Sequence, residues 1–274
     1  MFRKYGVLGL ILIVLVEINF FLKIQPFADW YFPIIWFGYI MLIDALVFKL
    51  RKESIINNRF NQFLGMLALS AVFWWTFEFI NGFVGNWGYQ GGGAAGSHGF
   101  LFKTLAFATV LPALFETTEL FRAIHLFDKK KLHTTYKLNK HALQLSIFLG
   151  VVCFILPYIF PRFAFPLIWL GFFFILDPIN YLHKQPSIIG HLKDRNLAVP
   201  LSLLLSGITL GFLWEFWNYW AIYKWTYTIP FVGFFKIFEM PLLGYLGYFP
   251  FALELYAMYW FARSLFIHKE TLIA

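Results

Sequence analysis

Runs of apolar residues, each about as long as a bilayer is thick, leave this chain few folds to choose from. They lie near 6–23, 30–49, 62–85, 101–121, 142–160, 164–182, 197–222 and 240–264. A membrane core takes about 20 residues of helix. Lipid offers no water to an open backbone, so single runs of this kind must fold as helices. The expectation is an all-α membrane protein with eight transmembrane helices. The first run is followed by no small-residue cleavage site, so it reads as a helix and not as a signal peptide. With 60% hydrophobic and 13% charged residues, the chain falls outside the range of soluble domains.

Lys and Arg collect on the cytoplasmic side of membrane proteins. With the N-terminus inside, 17 of the 22 basic residues fall on cytoplasmic segments and five on the other side. That bias predicts a multi-pass protein of the cell membrane with both termini in the cytoplasm. It also accounts for the net charge of +8 without a nucleic-acid partner. Membrane lipids and a lipophilic substrate are the expected partners, and Lys129-Lys130-Lys131 reads as a solvated loop. The oligomeric state stays open.

An internal duplication is expected from the order of unlike residues. Pro33-Ile34-Ile35-Trp36-Phe37-Gly38 matches Pro166-Leu167-Ile168-Trp169-Leu170-Gly171 at an offset of 133, where Asp44 also falls on Asp177 and Ser54 on Ser187. After a short gap, Glu78 falls on Glu215 and Asn81 on Asn218. Further on, Trp87 and Tyr89 fall on Trp225 and Tyr227, and Pro112 with Glu116 on Pro250 with Glu254. Four spans per unit make the two halves parallel. The units are a first four-helix repeat over 1–127, a basic cytoplasmic linker over 128–141 and a second four-helix repeat over 142–274.

Nine of the 14 acids fall in or beside the apolar runs, which contain almost no Lys or Arg to pair with them. An ionised side chain at mid-bilayer costs at least about 2.5–3.5 kcal/mol. Such acids therefore face the bundle interior, where desolvation favours the protonated form. Glu215 and Asn218 lie one helical turn apart, as do Glu78 and Asn81, so each pair projects one way. The candidate catalytic set is Glu215, Glu78, Glu254, Glu116, Asp177 and Asp44. The candidate substrate-binding set is Asn218, Asn81, Trp214, Trp217, Trp225, Tyr227, Trp87, Tyr89 and Glu239. Glu17 and Glu119 are set aside, since Glu17 has no match and Glu119 sits near the interface.

Other features carry less. The seven histidines show no metal-ligand spacing, and the single Cys153 excludes an internal disulfide. Neither a metal nor a cofactor is expected. The run Gly91-Gly92-Gly93-Ala94-Ala95-Gly96 lacks the following Lys-Ser/Thr of a phosphate loop and reads as a flexible connection. The aromatic residues, 23% of the chain, flank the paired acids, and their faces stabilise cations.

Trp87-Gly88-Tyr89 before Pro112…Glu116, and Trp225-Thr226-Tyr227 before Pro250…Glu254, resemble elements of the heterodimeric-type lycopene cyclases. That family pairs two similar helical halves, each with a Trp-x-Tyr element and a Pro-x-Glu-Glu motif, where this chain has Pro-x-x-x-Glu. Trp214-Glu215 and the stretch from Pro241 to Gly247 are similar to the carotenoid hydratase family. A Trp-Glu helix also resembles the small membrane terpene cyclases. The resemblance implies cyclisation, hydration or isomerisation of a lipophilic isoprenoid through carbocations, with a Glu as acid. The same intramembrane acids also fit a proton- or cation-coupled transporter, and a lipid-binding protein without turnover is a third possibility.

Overall fold

The computed structural model describes residues 2–91, 95–134 and 138–266. The middle of the glycine run and Lys137 of the linker lie outside these residues, as do His268 and Lys269. The chain starts with α1 (Lys4–Leu22) and α2 (Tyr31–Arg51), followed by a single turn, α3 (Ile55–Asn58), and the long α4 (Phe60–Val84). Strand β1 (Trp87–Gln90) precedes α5 (Ala95–Ala108) and α6 (Val110–Ala123). Next come α7 (Lys140–Ile159), α8 (Pro161–Ala164), α9 (Ile168–Leu182), α10 (Ile188–Lys193) and α11 (Ala198–Trp220). Strands β2 (Lys224–Tyr227), β3 (Lys236–Ile237) and β4 (Met240–Pro241) lead through a 3-10 turn to α12 (Tyr248–Phe266).

The molecule is mostly helical, and seven helical stretches among the described residues are long and apolar enough to cross a membrane. One runs through α5 and α6 from Gly99 to Ala123, another from Pro161 to Leu182. The eighth expected run, 240–264, differs. Its first eight residues form β4 and the 3-10 turn Leu242–Gly247, and α12 starts only at Tyr248. Helix α12 is less apolar than the others because it carries Tyr256, Tyr259, Trp260 and Glu254, all buried. It packs against α9 and α11, so its neighbours and not lipid surround most of it. A helix in that position does not need an apolar surface all round.

Short strands, not expected from the sequence, accompany the helices of this all-α membrane architecture. β1 and β2 pair antiparallel, with Trp87 opposite Tyr227 and Tyr89 opposite Trp225. They come from positions more than 130 residues apart in sequence, just after the C-termini of α4 and α11. Gly85, in the left-handed conformation at φ 67°, ends α4 and turns the chain into β1. Helix α5 begins at Ala95, so the last two residues of the run 91–96 are helical.

Two helix pairs approach closely through glycine. A Cβ on Gly9 of α1 would lie 2.5 Å from the Gly38 carbonyl of α2, and one on Gly150 of α7 would lie 2.9 Å from the Gly171 carbonyl of α9. Small residues at such crossings let membrane helices pack backbone to backbone. The core between the pairs is aromatic, with Trp36, Phe77, Tyr259 and Trp260 almost wholly buried. The basic stretch after α6 is tied down by two backbone bonds. Leu132 N–H donates to the Arg195 carbonyl (3.1 Å) and Leu197 N–H to that of Lys130 (3.2 Å).

The short turn α10 holds a group whose charge opposes folding. His191 Nε2 lies 2.9 Å from the Tyr256 hydroxyl. Burial, then the nearby Arg122, push its pKa down to about 4, against a smaller opposing effect of Asp194. The unfolded imidazole takes its proton near pH 6.5, so between 6.5 and 4 the unfolded state binds a proton that the folded state refuses. Stability from this group is present above pH 6.5 and lost as the pH falls toward 4. Thermal unfolding of the detergent-solubilised protein should decline with acid over that window, and His191→Gln should decline less. An equal decline in both would contradict the assignment.

Candidate functional site

The carboxyls of α4 and α11 are each met by aromatic side chains from the strand that follows. Glu78 Oε1 accepts from Trp87 Nε1 (2.8 Å) and from the Tyr89 hydroxyl (2.5 Å). Glu215 Oε1 accepts from the hydroxyls of Tyr227 (2.6 Å) and Tyr248 (2.8 Å). Trp225 Nε1 in turn donates to the Tyr227 oxygen at 2.7 Å. Glu215 is wholly buried, and its Oε2 has no hydrogen-bond partner among the described residues. Burial and the facing Glu215 push the Tyr227 phenol far above its ordinary pKa. It therefore stays a neutral donor.

The asparagines hold these strands in place. Asn81 Nδ2 donates to the Trp87 carbonyl (2.8 Å), and its Oδ1 accepts from the N–H groups of Asn86 (2.8 Å) and Trp87 (3.2 Å). Asn218 Nδ2 donates to the Trp225 carbonyl (2.9 Å) and Oδ1 accepts from Trp225 N–H (2.9 Å). One turn of helix thus carries the acid, and the next turn fixes the strand that delivers donors to it.

Above the acids is a cavity of about 530 Å³, within the range of small-molecule sites. Trp87, Tyr89, Trp225, Tyr227, Trp214 and Tyr248 line it. Trp74, Trp169 and Phe251 contribute further rings. They pack on one another edge-on or tilted, as in Trp74 with Phe251 (5.9 Å), Trp169 with Phe251 (5.4 Å) and Trp214 with Tyr248 (5.9 Å). Glu78 and Glu215 do not line the cavity. Their hydrogen-bonded phenols and indoles do.

Five expected site residues reach the wall: Trp214, Trp225, Tyr227, Trp87 and Tyr89. Asn218 and Asn81 stand behind the strands. Trp217 packs on Trp36 (4.8 Å) and donates to Glu17 (3.1 Å), away from the cavity. Glu239 is held by Lys224 at 2.7 Å.

The remaining acids serve elsewhere. Asp177 accepts from the N–H groups of Ile188 (2.7 Å) and Ile189 (2.9 Å), satisfying the open end of α10. Asp44 accepts from Ile56 N–H and the Ser54 hydroxyl, both at 2.8 Å, and from Tyr5. Glu254 accepts from Phe172 N–H at 2.9 Å, and its second oxygen has no hydrogen-bond partner among the described residues. Glu116, fully buried, has neither oxygen hydrogen-bonded among the described residues. None of these four lines the cavity.

Tyr248, Trp74 and Lys103 also line the cavity, though the sequence reading did not single them out. Tyr248 and Trp74 are ordinary residues in their apolar context, whereas Lys103 is a cation near the start of the run 101–121 whose place at the cavity only the packing reveals. Glu17, set aside for lack of a match, accepts from Tyr31 (3.3 Å) as well as Trp217.

Compared with models of protein families, with characterised proteins and with solved structures, the chain matches none.

The asparagine bridges carry a measurable load. Asn218 is wholly buried while Asn81 is half-buried. Asn218→Ala leaves the Trp225 N–H and C=O without their side-chain partner, at about 1–3 kcal/mol for a stranded buried group. Asn81→Ala should cost less, since water reaches its position. Thermal unfolding in detergent reads the difference, and a larger loss for Asn81→Ala would contradict this role.

Proposed function

We propose that the chain is an integral membrane enzyme performing acid–base chemistry on an isoprenoid or similar lipid held in the aromatic cavity. Its architecture in this reading is a tandem of two parallel four-helix halves, with eight spans and both termini in the cytoplasm. Support for the duplication comes from contacts repeated at matched positions. Asp44 and Asp177 cap α3 and α10, Asn81 and Asn218 hold the strands, and Glu78 and Glu215 take donors from Trp-x-Tyr elements. The lower hydropathy of α12 fits a span shielded by its neighbours.

The observation that carries the chemistry is the convergence of two cavity-lining phenols, Tyr227 and Tyr248, on one oxygen of the buried Glu215. A phenol at the wall transfers its proton to one carbon of an alkene, so a C–H bond forms and the neighbouring carbon becomes cationic. Glu215, in its protonated form, returns a proton to that phenol, the hydrogen bond between them reversing from the one in which the hydroxyl donates to Oε1. The surrounding indole and phenyl faces stabilise the cation. Loss of a proton back to the relay completes an isomerisation or cyclisation, and addition of water followed by proton loss completes a hydration. Of the acids expected to take part, Glu215 stands nearest this role, with Glu78 the corresponding group under Trp87 and Tyr89. This is the chemistry that the resemblance to lycopene cyclases, carotenoid hydratases and membrane terpene cyclases implies.

The alternative, a proton- or cation-coupled transporter, rests on the same intramembrane carboxyls. A path through Asp44 and Asp177 would have to release the backbone N–H groups they now cap. The half-enclosed aromatic cavity favours the enzyme. Incubation of the protein with isoprenoid alkenes in D2O should place deuterium on carbon, and Glu215→Gln should lower that rate by about 10² or more, the scale of a lost general acid. Unchanged incorporation in the variant would remove Glu215 from the mechanism. Proton-coupled uptake in proteoliposomes, with no chemical conversion, would favour transport.

A further inference from the structure

One face of α5 forms part of the cavity wall, through Gly99, Phe102, Lys103, Ala106 and Phe107. The spacing is that of one helical stripe, and Lys103 is its only charged member. Its Nζ lies 4.0 Å above the centre of the Tyr89 ring, the phenol that donates to Glu78. The ion pairs among the described residues are Arg51 and Arg122 with Glu119, His125 with Asp128, and Lys224 with Glu239. Lys103 is in none of them. Asp29, the carboxylate at the same wall, accepts from Gln25 (2.9 Å) and makes no ion pair with Lys103. Lys103 is half-buried, and its ammonium, with no ion-pair partner among the described residues, presents three donors to whatever fills that space.

We infer that the cavity takes an amphiphile, an isoprenoid chain ending in an anionic head group, with Lys103 binding the head and the indole and phenyl walls the chain. This rests on the reading of the cavity as an isoprenoid site and narrows it. A purely hydrocarbon substrate offers the Lys103 ammonium no acceptor, whereas a carboxylate or phosphate would accept its hydrogen bonds. Charge-assisted bonds of this kind are worth about ten- to hundredfold in affinity. Lys103 would thus set which end of the chain faces Tyr89 and which reaches toward Tyr227 and Tyr248.

Equilibrium dialysis of the full chain in detergent, with empty micelles as blank, tests this with three probes of one chain length: farnesyl phosphate, farnesoic acid and farnesol. At least one anionic probe should bind about ten- to hundredfold more tightly than the alcohol. A gain for the phosphate alone would identify a phosphate head, and a gain for both would show that a carboxylate suffices. Lys103→Gln should bring the anionic probes to the level of farnesol, and Lys103→Arg should keep most of the preference. Equal binding of all three probes, or a preference untouched by Lys103→Gln, would overturn the inference and leave the isoprenoid site standing. Binding of none of the three would overturn both.

Discussion

Glu78 and Glu215 sit on helices long and apolar enough to cross a membrane, and among the described residues no basic side chain forms an ion pair with either. The donors come instead from the chain just beyond each helix. Trp87 and Tyr89 fold back onto Glu78, and Tyr227 with Tyr248 converge on Glu215. For those side chains to arrive, the strands must be fixed, and the asparagine one turn further along each helix fixes them. Pairing of β1 with β2 then joins the two acid sites across one aromatic cavity. Without these two acids, Glu215 wholly buried and Glu78 half-buried, there would be little reason for this end of the bundle to take the form it does.

The two sites are not alike. Glu78 receives an indole and a phenol, whereas Glu215 receives two phenols, with the Trp225 indole moved back to support Tyr227. Tyr248 makes the difference. It comes from the start of α12, where the matched position near the start of α6 is Val110. Under the proposed duplication, one ancestral arrangement has diverged into a site rich in hydroxyl donors and a site marked by the cation of Lys103. An amphiphile bound with its ends distinguished would suit that difference.

Much of the framework was legible from residue order alone. Polar residues in an apolar run stand out individually, so Glu78 with Asn81 and Glu215 with Asn218 could be picked out, and Trp87, Tyr89, Trp225 and Tyr227 with them. The caps were less legible. Asp44 and Asp177 look like the other buried acids until the turns beginning at Ser54 and Ser187 fold back over them. The β1–β2 pairing was hidden because four-residue strands have almost no local signal, and their partners lie far apart in sequence. The start of α12 was misplaced since Met240–Gly247 is as apolar as the helix it precedes. Tyr248 and Lys103 became visible only once packing turned them into one cavity.

The central claim is that the cavity between the two acid sites holds an isoprenoid lipid. Purification of the protein from its membrane in mild detergent, followed by solvent extraction and mass spectrometry of the bound lipids, tests it most directly. The account predicts an isoprenoid enriched over the surrounding membrane lipids, and depleted when Trp225→Ala and Trp87→Ala open the cavity wall. Recovery of bulk phospholipid alone, in the same proportions from the protein and from both variants, would contradict it.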